Sequence, residues 1–108
     1  MSGARVLINA PATAVAGEVI EIRTLIAHVM ETGHRMGAQG EVIPRNIINR
    51  FACRYDGAEV FTADLFPAIA ANPFIAFTVV ATRSGTLAFE WTDDQGTIET
   101  AAHSLIVT

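Results

Sequence analysis

The chain has no lysine and a single cysteine among its 108 residues, and only 17% of it is charged, below the usual quarter. Seven arginines stand against eleven acids, for a net charge of −4. With no basic run, nucleic acid and anionic membrane surfaces are excluded as natural partners. No apolar run approaches the ~20 residues that a membrane-spanning helix needs. The opening Met1-Ser2-Gly3-Ala4-Arg5-Val6 lacks the charged start and long apolar stretch of a secretory signal, and read alone it points to the cytoplasm. One cysteine forms no internal disulfide, so cysteine usage does not reveal the compartment. No Gly-rich phosphate loop is present, and no cofactor is expected.

What is abundant is apolar surface: 51% of the residues are hydrophobic, a high load for a chain that builds one core. The segment Leu65-Phe66-Pro67-Ala68-Ile69-Ala70-Ala71-Asn72-Pro73-Phe74 carries no charge at all. Connections normally run over the surface and are polar, because water satisfies their backbone groups. The two prolines keep this one from being a strand interior. It reads as a surface segment that something covers; the competing reading folds it back over the end of the domain.

The patterning is all-β. Arg5 to Asn9 forms a first strand, ended by Pro11. Glu18 to His28 puts Ile20, Ile22 and Ile26 on one face and Glu21 and Arg23 on the other. Ile47 to Tyr55 groups Ile47, Phe51, Cys53 and Tyr55 opposite Ile48, Arg50 and Arg54. Asp56-Gly57 is a hairpin turn into Glu59 to Leu65. Phe74 to Thr82 is apolar on both faces, with Phe74, Ala76 and Val80 opposite Ile75, Phe77 and Val79. After Arg83-Ser84-Gly85, Leu87, Phe89 and Trp91 point one way and Thr86, Glu90 and Thr92 the other. Asp93-Asp94-Gln95-Gly96 turns the chain into a last strand from Thr97 to Thr108. About seven antiparallel strands in one domain spanning residues 1–108 predict an immunoglobulin-like β-sandwich. Val29 to Arg45 is the one long irregular segment, and a loop of this length in a compact domain is usually functional or disordered.

Few residues suggest chemistry. Cys53 lies mid-strand beside Phe51 and Tyr55, the setting of an inert core thiol. A sulfur-carrying thiol would instead need a mobile arm. His28, Met30, His34 and Met36 could form a copper site, because imidazole suits Cu(II) and thioether Cu(I). Their spacing matches no tight motif, and a strand-end histidine followed by a polar turn is the plainer reading. Asp93 and Asp94 suit a turn through local hydrogen bonds. His103 alternates with Leu105 and Val107 as a satisfied, partly buried side chain. Ser84 and Ser104 have no histidine or acid at motif spacing. The residues therefore offer no active site, no cofactor site and no metal site. The apolar surface is the functional feature: Phe66, Pro67, Ile69, Asn72, Pro73, Phe74 and the outward Ala76 and Val80 form a candidate partner interface.

Several stretches together resemble the SoxZ family of bacterial sulfur oxidation. They are Arg5-Val6-Leu7-Ile8-Asn9-Ala10-Pro11, His28 with Met30-Glu31-Thr32-Gly33, Ile43-Pro44-Arg45-Asn46-Ile47-Ile48, Phe51-Ala52-Cys53, Ala70-Ala71-Asn72-Pro73 and Trp91-Thr92-Asp93-Asp94. Val29 departs from the family, which has proline there. The resemblance implies a non-catalytic subunit in a tight complex with SoxY, as a heterodimer or higher assembly. SoxY bears sulfur intermediates on a cysteine near the end of a Gly-rich C-terminal arm, and other sulfur-oxidation enzymes visit it transiently. It further implies that the loop at His28, Met30, Glu31 and Thr32 lies near that arm. It also reverses the compartment: such chains reach the periplasm by co-export with a signal-bearing SoxY.

Overall fold

A computed structural model describes residues 5–28, 30, 31, 33–66 and 73–108. Their alternating side chains build eight strands: β1 (Arg5–Asn9), β2 (Thr13–Ala14), β3 (Val19–Ala27), β4 (Ile48–Tyr55), β5 (Ala58–Asp64), β6 (Phe74–Val80), β7 (Gly85–Asp93) and β8 (Ile98–Val107). They form a small sheet ordered β1-β3-β6 and a large sheet ordered β2-β8-β7-β4-β5. The fold is the all-β immunoglobulin-like sandwich that the patterning predicts. The strand missing from the expectation is β2, two residues long, which pairs with β8 in parallel at Thr13↔Ile106 and Ala14↔Val107. Two residues carry no readable alternation.

The core lies between the sheets. Ile20, Ile22 and Ile26 of β3 meet Phe51, Cys53 and Tyr55 of β4 and Leu87, Phe89 and Trp91 of β7, all buried. Phe51 is the hub, with Trp91 at 5.2 Å and Phe77 at 5.9 Å between ring centroids. Phe61 of β5 stacks on Phe77 of β6 at 4.5 Å, joining the two sheets where their edge strands stand opposite. Thr24 faces the core too, and its hydroxyl donates to the Ile75 carbonyl at 3.1 Å. The Tyr55 hydroxyl accepts from the Thr82 and Arg83 amides and donates to the Arg83 carbonyl, fastening the β6–β7 connection to β4.

Two strand details differ from the sequence reading. Ile47 and Ile48 exchange roles: Ile48 joins the core cluster, whereas Ile47, though buried, does not. The cause is a bulge, since the β4–β7 register shifts between Ile48 and Arg50. One extra residue reverses the facing of what precedes it. The hairpin at Asp56-Gly57 closes as expected, with positive φ at both residues, the geometry of the two-residue turn.

The described residues between 30 and 45 also pair more regularly than expected. Glu31 and Asn46 bridge through paired backbone hydrogen bonds of 2.8 and 2.7 Å. Further out, Ile43 donates to the Arg35 carbonyl and Gly37 to the Glu41 carbonyl, with a bridge at Met36↔Val42. The segment is a β-ribbon arm that turns at Ala38-Gln39-Gly40, where Gly40 takes a φ of +81°.

Candidate partner interface

The outer face of the small sheet follows from strand parity. Inward residues of β1, β3 and β6 fill the core, so their neighbours point to solvent. Register aligns the outward residues in rows: Leu7↔Leu25↔Phe74, then Asn9↔Arg23↔Ala76, Glu21↔Thr78 and Val19↔Val80. Leu7 and Phe74 are each 61% exposed, Val19 63% and Val80 49%. A continuous apolar row thus crosses the whole sheet at one end, and a second apolar pair lies at the other. Between them sits one ion pair, Arg23 to Glu21 at 2.8 Å. Phe66, just past β5, is 67% exposed.

Of the candidate interface residues, Phe74, Ala76 and Val80 share this face and Phe66 is exposed, while Pro73 is buried. Pro67, Ile69 and Asn72 lie outside the described residues. Leu7, Leu25 and Val19 join the surface and were not singled out in the sequence. Their signal was present, because Val6-Leu7-Ile8 and Leu25-Ile26 are apolar on consecutive positions, and a strand can bury only alternate ones against a single core.

The loop candidates lie at one end of the sandwich. The His28 ring stands 3.2 Å from the Asp93 carboxylate through Nε2, with both side chains largely buried and Nδ1 left without a hydrogen-bond partner. Asp93 also accepts from the Gln95 and Thr97 amides, the local turn role expected of it. Asp94 does something else. Its carboxylate accepts from Nε and Nη2 of Arg45 (2.7 and 2.9 Å), the Asn49 amide at 2.9 Å and the Ile47 backbone amide at 3.2 Å. Burial works to raise this carboxyl, but those hydrogen bonds outweigh it and hold Asp94 below the usual range. The residue locks the base of the arm to the β7–β8 turn. Glu31 pairs with Arg35 at 2.7 Å within the arm, and hydrogen bonding to that guanidinium lowers the Glu31 carboxyl. Thr32 is outside the described residues.

The copper alternative loses support from the same contacts. His28 already engages Asp93, and the Met30 sulfur accepts the Ile48 amide at 3.3 Å. Both groups face into the domain, while His34 and Met36 are exposed on the arm. Cys53 is fully buried, and desolvation pushes its thiol up to about 11. A thiol so placed is a core side chain. His103 donates to the Pro11 carbonyl at 2.8 Å, the satisfied role expected of it.

Residues 8–104, nearly the whole chain, match the family model described as sulphur oxidation protein SoxZ. The chain belongs to the SoxZ family. No curated protein matches it in sequence. Solved structures match in fold at low identity. A superoxide reductase (neelaredoxin) from Ignicoccus hospitalis is 18% identical with a TM-score of 0.74, over 95% of this chain and 80% of that one. A putative superoxide reductase from Thermotoga maritima is 16% identical with a TM-score of 0.70, over 95% and 85%. The sulfur carrier protein SoxY from Chlorobium limicola f thiosulfatophilum is 14% identical with a TM-score of 0.67, over 95% and 78%. These likenesses establish the sandwich fold of this SoxZ-family chain.

Proposed function

We propose that this SoxZ-family chain is the non-catalytic scaffold subunit of a sulfur-carrier complex, docked through the outer face of its small sheet to a SoxY-type subunit. The observation that carries this reading is the apolar row Leu7↔Leu25↔Phe74, laid open across an entire sheet in a chain of a sulfur-oxidation family. Exposed apolar surface of this continuity marks an interaction site. Obligate subunit contacts are apolar and commonly exceed ~2,000 Å² in total. The one cysteine is sealed in the core, so the sulfur intermediates belong on the partner's arm cysteine. The loop at His28, Met30, Glu31 and Thr32 would lie near that arm, and other sulfur-oxidation enzymes would meet the complex only transiently. Localisation follows the partner: periplasmic, by co-export with the signal-bearing subunit.

Purification from the native host, with the co-purifying subunit identified by mass, tests the reading. The expected result is a stoichiometric complex with a SoxY-type protein. A chain that purifies as a stable monomer at high concentration contradicts it.

A further inference from the structure

Among the described residues the two sheets leave four edge strands, and three of them are protected. β2 is two residues long. β1 is short, starts at Arg5 and is followed by Pro11. β5 carries Glu59 and Asp64, and its register with β4 shifts at a bulge after Cys53. Such devices keep edges from pairing with other chains. β6 has none of them: Phe74-Ile75-Ala76-Phe77-Thr78-Val79-Val80 holds no charge, proline or glycine, and its register with β3 is unbroken. A cleft of about 480 Å³ lined by Val60 of β5 and Thr78, Val79 and Val80 of β6 separates the two edge strands at the end of β6.

The ladder shows which backbone groups are open. The Ala81 amide donates to the Glu18 carbonyl at one end of β6, and the Pro73 carbonyl accepts from Ile26 at the other. Bonded pairs alternate in an antiparallel ladder, so Ile75, Phe77 and Val79 face β3. Phe74, Ala76, Thr78 and Val80 turn their N–H and C=O groups to the other edge, where none of the described strands pairs with them. These same four residues present their side chains on the apolar outer face. A partner seated on that face is one strand spacing, about 4.8 Å, from the edge.

We infer that the SoxY-type partner adds an extended, uncharged segment to the open edge of β6 as a fourth strand of the small sheet. This rests on the docking reading above and assigns it a backbone component. The test is residue-resolved amide exchange on the free chain and on the complex with its SoxY-type subunit. Ala76, Thr78 and Val80 should exchange fast when free and become protected in the complex, while Ile75, Phe77 and Val79 are protected in both. Ala76→Pro removes an edge donor without touching the bonds to β3, as proline is tolerated on a solvent-facing edge. It should weaken the complex at least ~30-fold, the order expected when a strand can no longer seat, with the melting temperature of the free chain nearly unchanged.

The exchange result stands whether or not that variant folds. If the complex forms and these amides stay fast, the partner docks on side chains alone and the added strand is wrong while the docking reading survives. If no SoxY-type complex forms, both fall. If the same amides gain protection in a homodimer, the occupant is a second copy, and the assignment is overturned.

Discussion

The outer faces of the two sheets solve the same problem in opposite ways. On the large sheet, outward residues of β4, β5 and β7 lace together: Arg50 reaches Asp64 at 3.7 Å and Glu59 at 3.9 Å, and Arg54 reaches Glu59 at 3.8 Å and Glu90 at 4.0 Å. Ala52 lies beneath this lattice, 2% exposed on an outward position. On the small sheet the corresponding positions hold Leu7, Leu25, Phe74, Ala76 and Val80, with one ion pair among them. One face is finished for water and the other is not. Exposed apolar residues occur on the large sheet as well, at Val60 of β5 and at Ile98 and Ile106 of β8, but the row that register aligns across all three strands is on the small sheet.

Substitutions on the two faces sharpen this contrast. The largest effect is expected from Leu7→Asp combined with Phe74→Asp. Central interface anchors cost ~2 kcal/mol or more each on truncation, so partner affinity should fall at least ~100-fold by titration calorimetry. The free chain should keep its melting temperature, because both side chains are exposed. Loss of folding instead would make these residues part of the internal packing.

Next is Asp94→Ala, which frees Arg45 and the base of the arm. Hydrogen bonds to charged groups contribute about 1.5–3 kcal/mol, and denaturant unfolding should register a loss of about 2 kcal/mol. Because the folded carboxyl is depressed, its contribution is complete above the unfolded pKa of ~3.9. It is lost as pH falls from there through the lower folded value. The variant should therefore show a flatter stability profile below about pH 4, where the unfolded carboxyl begins to take up its proton.

Arg54→Ala, on the charged face, should change stability and affinity by less than ~1 kcal/mol, as exposed ion pairs contribute little. A large affinity loss there would move the partner to the other sheet. Smallest of all is the reaction of Cys53 with a thiol reagent, which should be negligible on the native chain by mass spectrometry and appear only on unfolding.

Much of the fold was legible because the core obeys a period of two. Ile20, Ile22 and Ile26, and Leu87, Phe89 and Trp91, alternate cleanly and are buried as the pattern requires. The failures are local breaks in that period. The bulge near Asn49 exchanges Ile47 and Ile48, and no residue there marks it. The arm was read as irregular because its pairing is held by backbone bonds at Glu31↔Asn46 and Met36↔Val42, with no apolar alternation to announce it. The exposed apolar face was half legible: Phe74, Ala76 and Val80 stood out on a strand apolar on both faces. Leu7 and Leu25 were not singled out, since the row they form with Phe74 depends on register across three strands. Asp94 was read as a turn residue, and its partners Arg45 and Asn49, more than forty positions away, lie beyond any local pattern.

The central claim is that the apolar face is the covered one, and hydroxyl-radical footprinting of the chain, free and in complex with its SoxY-type subunit, tests it within one molecule. Leu7 and Phe74 on the small sheet, and Ile98 and Ile106 on the large sheet, are all more than half exposed in the free chain. Oxidation of Leu7 and Phe74 should fall sharply in the complex while that of Ile98 and Ile106 is unchanged; protection of Ile98 and Ile106 with Leu7 and Phe74 still reactive would contradict the account.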